Sequence, residues 1–209
     1  MTRLRVRIRF RKEGDLRLIS HRDLLRLFER AFRRAELALG MSEGFHPKAR
    51  MSFPSALGLG VAGLDEVMEV ELAEPVEPDE LARRLAAQLP PGIAVNCVEL
   101  LDEGAGKAQA ARMTYEFCVP PDRRRQVQSA LEALQAADRY EIERDDRRQR
   151  IDLKADLDAL ELCEDRLRFS LLASRTAGAR PRDVLEALGL ADLEQEGCCL
   201  VRTSVEVTT

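Results

Sequence analysis

The sequence has no tryptophan, two tyrosines and seven phenylalanines in 209 residues, and only two histidines, His21 and His46. So few aromatics leave little with which to stack bases, a contact worth about 1–3 kcal/mol each. So few imidazoles confine histidine-based proton transfer or metal binding to two positions. No apolar run approaches the roughly 18 residues of a membrane helix, since the longest weakly apolar stretch is Ala56 to Leu64. No charged-then-apolar leader precedes the first strand, so a soluble, untargeted, cytoplasmic chain with no membrane partner is expected. The five cysteines (Cys97, Cys118, Cys163, Cys198 and Cys199) include no CxxC spacing, which predicts buried, reduced thiols. There is no CxxxCxxC run, no GxxxxGK[ST] loop and no paired-carboxylate motif. Neither a cofactor nor a metal is expected, and stand-alone catalysis is disfavoured.

Forty-five per cent hydrophobic residues are enough to fill a core and exclude a disordered chain. The length suits one large domain or two small ones. The net charge of −4 hides an asymmetry: residues 1–50 carry 14 Lys/Arg against 6 Asp/Glu, and the other 159 residues carry 19 against 31. A basic first part points to an anionic partner, unless the acidic remainder neutralises it within the molecule.

Between Thr2 and Arg11, Leu4, Val6, Ile8 and Phe10 alternate with Arg3, Arg5, Arg7, Arg9 and Arg11, a period of two that predicts a strand with one apolar and one arginine face. Ser20 and Asp23 read as the cap and capping box of a helix whose buried stripe is Leu24, Phe28, Ala31 and Ala35, with Gly40 as its stop. Strands are expected at Lys48 to Phe53, Glu66 to Leu72 and Ile93 to Leu101, with a helix from Pro78 to Leu89 between the last two. The order βαββαβ is the ferredoxin-like arrangement.

A second round follows: a strand at Met113 to Val119, a helix at Pro121 to Ala136, strands at Tyr140 to Glu143 and Arg166 to Ala173, a helix at Pro181 to Leu188 and a strand at Cys199 to Val207. The segment 149–162 reads as a short strand and then a short helix. The fold expected is α+β, with two ferredoxin-like halves, antiparallel sheets and helices on one face. The halves are 1–101 and 111–209, joined by a linker at 102–110, and the second carries an insertion near 145–165.

Several features bear on chemistry. The arginine face of the first strand has two uses: an open platform for single-stranded RNA, or an internal ladder in which Glu69 and Glu71 of the neighbouring strand pair with it. The first helix adds Arg22, Arg26, Arg30, Arg33 and Arg34, partly offset by Glu29. His21 opens that helix. His46 lies in Ser42-Glu43-Gly44-Phe45-His46-Pro47-Lys48, where Pro47 forces an extended backbone. Were both histidines to face one cleft, metal-free RNA cleavage by an acid and a base would be feasible. A metal site from the two histidines and a cysteine matches no zinc spacing. Gly58-Leu59-Gly60-Val61-Ala62-Gly63 satisfies GxGxxG but precedes a strand, so it reads as a hairpin connection. Arg175 and Arg180 flank a polar loop before Pro181, and this is either a phosphate or carboxylate site at a helix start or an ordinary loop.

Arg7-Ile8-Arg9-Phe10, Gly14-Asp15-Leu16-Arg17-Leu18-Ile19-Ser20-His21, Asp23-Leu24-Leu25-Arg26 and Ser42-Glu43-Gly44-Phe45-His46-Pro47, with Ile151-Asp152-Leu153 and Arg180-Pro181 farther on, together resemble the uncharacterised radical SAM-linked protein family. The resemblance implies a bacterial protein encoded beside, or fused behind, a radical SAM protein with a cobalamin-binding domain, often near genes for RNA processing. No activity is implied. Arg22 stands where relatives more often have an apolar residue, and His46 where asparagine also occurs, which weakens an obligatory proton-transfer role for His46.

The expectation is a non-catalytic accessory that presents RNA or a ribosomal component to that radical SAM/cobalamin partner. Its expected surface combines Arg7, Arg9, Arg22, Arg26, His21, Glu43, His46 and Lys48. The alternatives are a protein-only scaffold for the same partner and a metal-independent ribonuclease using His21 and His46.

Overall fold

The computed structural model describes residues 4–144, 149–173 and 178–208. Arg3 and Arg175 lie outside the described residues. Contacts divide the chain into two units, Met1–Ala110 with Val207–Thr209, and Ala111–Glu206.

The first unit runs β1 (Leu4–Lys12), a 3-10 turn (Gly14–Leu18), α1 (His21–Arg34), β2 (Met51–Ser52), β3 (Ala62–Leu72), α2 (Pro78–Ala86) and β4 (Ile93–Leu100). Its strands lie in the order β4-β1-β3, and β2 also pairs with β3; every one of these pairs is antiparallel. The alternation of β1 sends Val6, Ile8 and Phe10, all fully buried, into a core shared with Leu24, Phe28 and Phe32 of α1, Met68, Val70 and Leu72 of β3, and Leu81 and Leu85 of α2. Phe10 and Phe28 meet edge to face with ring centroids 5.0 Å apart.

Ser20 caps α1 by accepting the Asp23 N–H at 3.2 Å, while its hydroxyl donates to the Asp23 carboxylate at 2.6 Å. The helix ends at Arg34, six residues before Gly40. Glu36 adopts φ 55, its N–H reaches the Arg33 carbonyl, and the Leu37 N–H reaches that of Phe32. That is a Schellman cap with glutamate in the place glycine usually takes. Gly92, at φ +95, closes the turn before β4, and a Cβ there would lie 2.8 Å from the Glu13 carbonyl oxygen. Glu13 donates its own N–H to the Gly92 carbonyl at 2.8 Å. Gly92→Ala is therefore expected to lower stability by more than about 1 kcal/mol in chemical denaturation, from left-handed strain and loss of this clasp.

The second unit contains most of β5 (Gln109–Cys118) and β10 (Val201–Thr208). Between them come α3 (Arg124–Ala136), β6 (Glu141–Arg144), β7 (Gln149–Asp152), α4 (Leu153–Asp156), β8 (Leu157–Cys163), β9 (Arg166–Leu172) and α5 (Pro181–Ala187). The order is β10-β5-β9-β8, with β6 and β7 paired separately. Tyr115 stacks on Phe169 at 5.3 Å in its core. The short strand and short helix expected within 149–162 are β7 and α4, but the helix stops at Asp156 and the rest of the segment is strand β8. Leu157, Leu160 and Leu162 allow either period, and pairing with β9 decides it, Leu160 facing Phe169. The turn that makes the hairpin, Glu164-Asp165, has Glu164 at φ 53 and no glycine to announce it. The whole chain is thus mixed α+β with mostly antiparallel strands.

Candidate functional site

The arginine face of β1 is not an open platform. Register places Arg7 opposite Glu69 and Arg5 opposite Glu71. Glu69, only 4% exposed, accepts from Arg5 at 2.9 Å and from Arg7 at 3.0 Å. Arg9 pairs with Asp65 at 2.5 Å. Arg5 also donates to the carbonyls of Ala105 and Gly106, and the Ala108 N–H reaches Glu69 at 3.2 Å, so residues 105–108 close over this part of the face. Among the described residues Glu71 also reaches Arg50, at 3.2 Å, and Asp65 supplies to Arg9 an acid not expected from the sequence.

This geometry splits the expected surface. Odd-numbered residues of β1 point away from the core, whereas α1 packs on the even-numbered side. Arg7 and Arg9 therefore lie across the sheet from Arg22 and Arg26, and the eight residues do not form one patch. Cys97, opposite Arg9 on β4, has its thiol pushed up from its ordinary pKa by local desolvation and then by the Glu99 charge, with Arg9 opposing.

What stays cationic is the outer side of α1 and the loop beyond it. Arg22, Arg26, Arg30, Arg33, Arg34 and Lys48 are all exposed. Arg26 leans on Asp23 at 3.5 Å, and Arg34 bonds Gln88. For Arg22, Arg30, Arg33 and the Lys48 ammonium the structure shows no partner among the described residues. Glu29, placed to offset Arg26 and Arg33, pairs with neither.

The loop after α1 is pinned at its neck. Met41 and Ala49 bridge, the Ser42 N–H reaches the Lys48 carbonyl at 2.8 Å, and the Lys48 N–H reaches the Ser42 hydroxyl at 2.9 Å. Gly44, at φ 128, bends the tip. Glu43, Phe45 and His46 are exposed there, Phe45 fully. A groove of about 610 Å³ runs between this loop and the end of α1, lined by Arg33, Glu36, Leu37, Leu39, Met41 and Lys48 among others. Phe45 is not among the surface residues expected from the sequence, although its place between a flexible glycine and a stiff His-Pro step is the signal that marks it.

His21 is exposed at the start of α1, its ring edge-on to Phe53 at 5.2 Å. His46 sits on the loop tip, and the structure shows no shared hydrogen bond or ring contact between the two histidines. No group of three His, Cys, Asp or Glu side chains that could hold a metal occurs among the described residues. At α5, the backbone donors expected to hold an anion are already used: Asp183 accepts the Arg180 N–H at 2.5 Å and Asp156 the Ala179 N–H at 2.6 Å. The expected buried thiols are also corrected, since Cys97, Cys118 and Cys163 are exposed. No helix among the described residues is long and apolar enough to cross a membrane.

Among solved structures, the chain is similar to an unknown protein from Galdieria sulphuraria (10% identity, 100% of each chain covered, TM-score 0.30). It is similar also to the acetolactate synthase small subunit from Thermotoga maritima (10%, 100% of this chain and 97% of that, 0.27) and to a putative glycine cleavage system transcriptional repressor (8%, 100% and 99%, 0.28). Overlaps of that size carry no inference about fold or function. No curated protein matches. Residues 5–182 match the family described as an uncharacterized protein conserved in bacteria (DUF2344), and the chain belongs to that family.

Proposed function

We propose that this protein is a cytoplasmic, non-catalytic accessory that holds RNA, or a ribosomal component through its RNA, for a separate radical SAM/cobalamin enzyme. The partner is what the sequence resemblance implies, and the ligand is what the remaining surface suits. The proposed scaffold is two ferredoxin-like βαββαβ halves. The order β4-β1-β3 with β2 beside β3 supports it in the first unit, and β10-β5-β9-β8 repeats that order in the second, with β6, β7 and α4 as the insertion.

The observation that carries the ligand reading is the set of exposed cations, Arg22, Arg33 and Lys48, that have no acid partner among the described residues, together with a pinned loop that holds Phe45 fully in solvent. Cations set along α1 and the loop suit phosphates, and one exposed ring suits one stacked base. Binding of a labelled single-stranded oligouridine, followed by anisotropy across a salt series, tests it. Loss of three phosphate contacts in Arg22→Glu/Arg33→Glu/Lys48→Glu is expected to flatten the slope of log K against log salt by about 2, and Phe45→Ala to weaken binding about tenfold. No binding at low salt, or an unchanged slope in the triple variant, would overturn the reading.

The internal pairing of Arg5, Arg7 and Arg9 favours a second reading, a protein-only scaffold for the radical SAM partner. Co-purification with that partner, without RNA and insensitive to nuclease, decides for it.

A further inference from the structure

A second groove lies on the other flank of α1. Arg26, Arg30 and Arg34 recur every fourth residue, about 6 Å apart along the helix axis, and form one wall of a groove of about 550 Å³. The facing wall is the chain leaving α2, from Ala87 to Pro90, and the floor is aliphatic: Leu16, Ile19, Leu27 and Leu89. These four are only partly buried against the core. The Arg34 guanidinium is held across the groove by the Gln88 carbonyl at 2.5 Å, so that wall is already set in place. Asp23 is the one acid in the lining and it faces Arg26 at 3.5 Å. Arg30, in the middle, has no partner among the described residues.

The chemistry of this groove differs from that of the loop flank. Its lining contains no aromatic ring and so offers no stacking surface for a base, but it offers branched aliphatic side chains beneath a row of guanidiniums. That combination suits an amphipathic helix with carboxylates along one edge. Side chains at i and i+4 of such a helix repeat with the same spacing as the three arginines. The arginines would contribute orientation and rate of encounter, and the leucines and isoleucine the buried contact.

We propose that this groove docks an acidic amphipathic helix of another protein. The inference does not depend on RNA being held at the loop flank, because Arg22, Arg33 and Lys48 do not line this groove.

A library of random peptides about 16 residues long, displayed on phage and selected on the full chain, tests it. Enrichment is expected for sequences with Leu, Ile or Met at i, i+3 or i+4 spacing next to Asp or Glu. The leading sequence, as a labelled synthetic peptide, is expected to lose about tenfold or more in affinity to Arg30→Glu. It should keep its affinity for Arg22→Glu/Arg33→Glu/Lys48→Glu. Arg30 is exposed and has no partner among the described residues, so its variant is expected to retain the wild-type far-UV spectrum. Arg26→Glu provides an independent second variant on the same wall. Absence of acidic sequences from the selection, or equal affinity for Arg30→Glu and the wild type, would overturn the proposal. So would oligouridine binding that falls with Arg30→Glu and is unaffected by the selected peptide, since that assigns the groove to nucleic acid.

Discussion

Glu69→Ala is expected to destabilise the protein by about 3–5 kcal/mol in urea denaturation. The carboxylate is 4% exposed and is shared by Arg5 and Arg7. Removing it strands the Arg7 guanidinium and leaves Arg5 with the Ala105 and Gly106 carbonyls but without this acid, on a sheet face that residues 105–108 close over. Arg7 is itself only 12% exposed, its Nε is buried with no hydrogen-bond partner among the described residues, and among those residues Glu69 is the acid it contacts. The Ala108 N–H loses its acceptor as well, so the same variant is expected to be cut faster by trypsin at Lys107. The cost belongs to the orphaned charges and not to the pair as such. Arg7→Leu combined with Glu69→Leu is therefore expected to recover the share carried by Arg7, because well-packed apolar side chains replace buried ion pairs at little cost or with gain. A loss below about 1 kcal/mol for Glu69→Ala would mean that water reaches these groups and screens them as at an ordinary surface.

The extent to which the sequence announced this arrangement varied with the kind of signal. The β1 alternation, the Ser20 cap and the apolar stripe of α1 are local patterns with one physical solution each, and all three are present as read. The fate of the arginines was not local. Alternation fixes which side of β1 they occupy, but whether that side is open depends on register against β3 and on the path of residues 102–110. Register brought Glu69 into place, as the ladder reading required. The closure by Ala105, Gly106 and Ala108 rests on backbone carbonyls and an amide, groups that every sequence contains and none advertises. The same limit explains the helix end and the β8–β9 hairpin. Glu36 and Glu164 take left-handed conformations in which glycine or asparagine is the usual marker, and tertiary contact holds them there. In the candidate site, composition exposed the cationic bias of residues 1–50 but could not separate the strand arginines paired across the sheet from the exposed helix arginines. Only the direction of each side chain relative to the core makes that division.

The other large effect is expected where that core holds α1 against the sheet. Phe28 is fully buried, touches Phe10 edge to face at 5.0 Å and Phe53 at 6.2 Å, and lies one turn after the buried Leu24 on the same stripe. Phe28→Ala removes a whole ring from a site flanked by two other rings and leaves a cavity that the sheet and helix cannot both close. A loss of about 3–5 kcal/mol is expected, with Phe28→Leu costing clearly less because most of the volume is kept. Phe53 links this core to the candidate surface, since its ring also packs against His21 at 5.2 Å. The His21 ring proton resonances are therefore expected to move in Phe28→Leu, at a temperature where that variant stays folded, while those of His46 on the loop tip stay in place. Movement of both histidines together would mean that the loop is coupled to the aromatic core and is not held independently by its pinned neck.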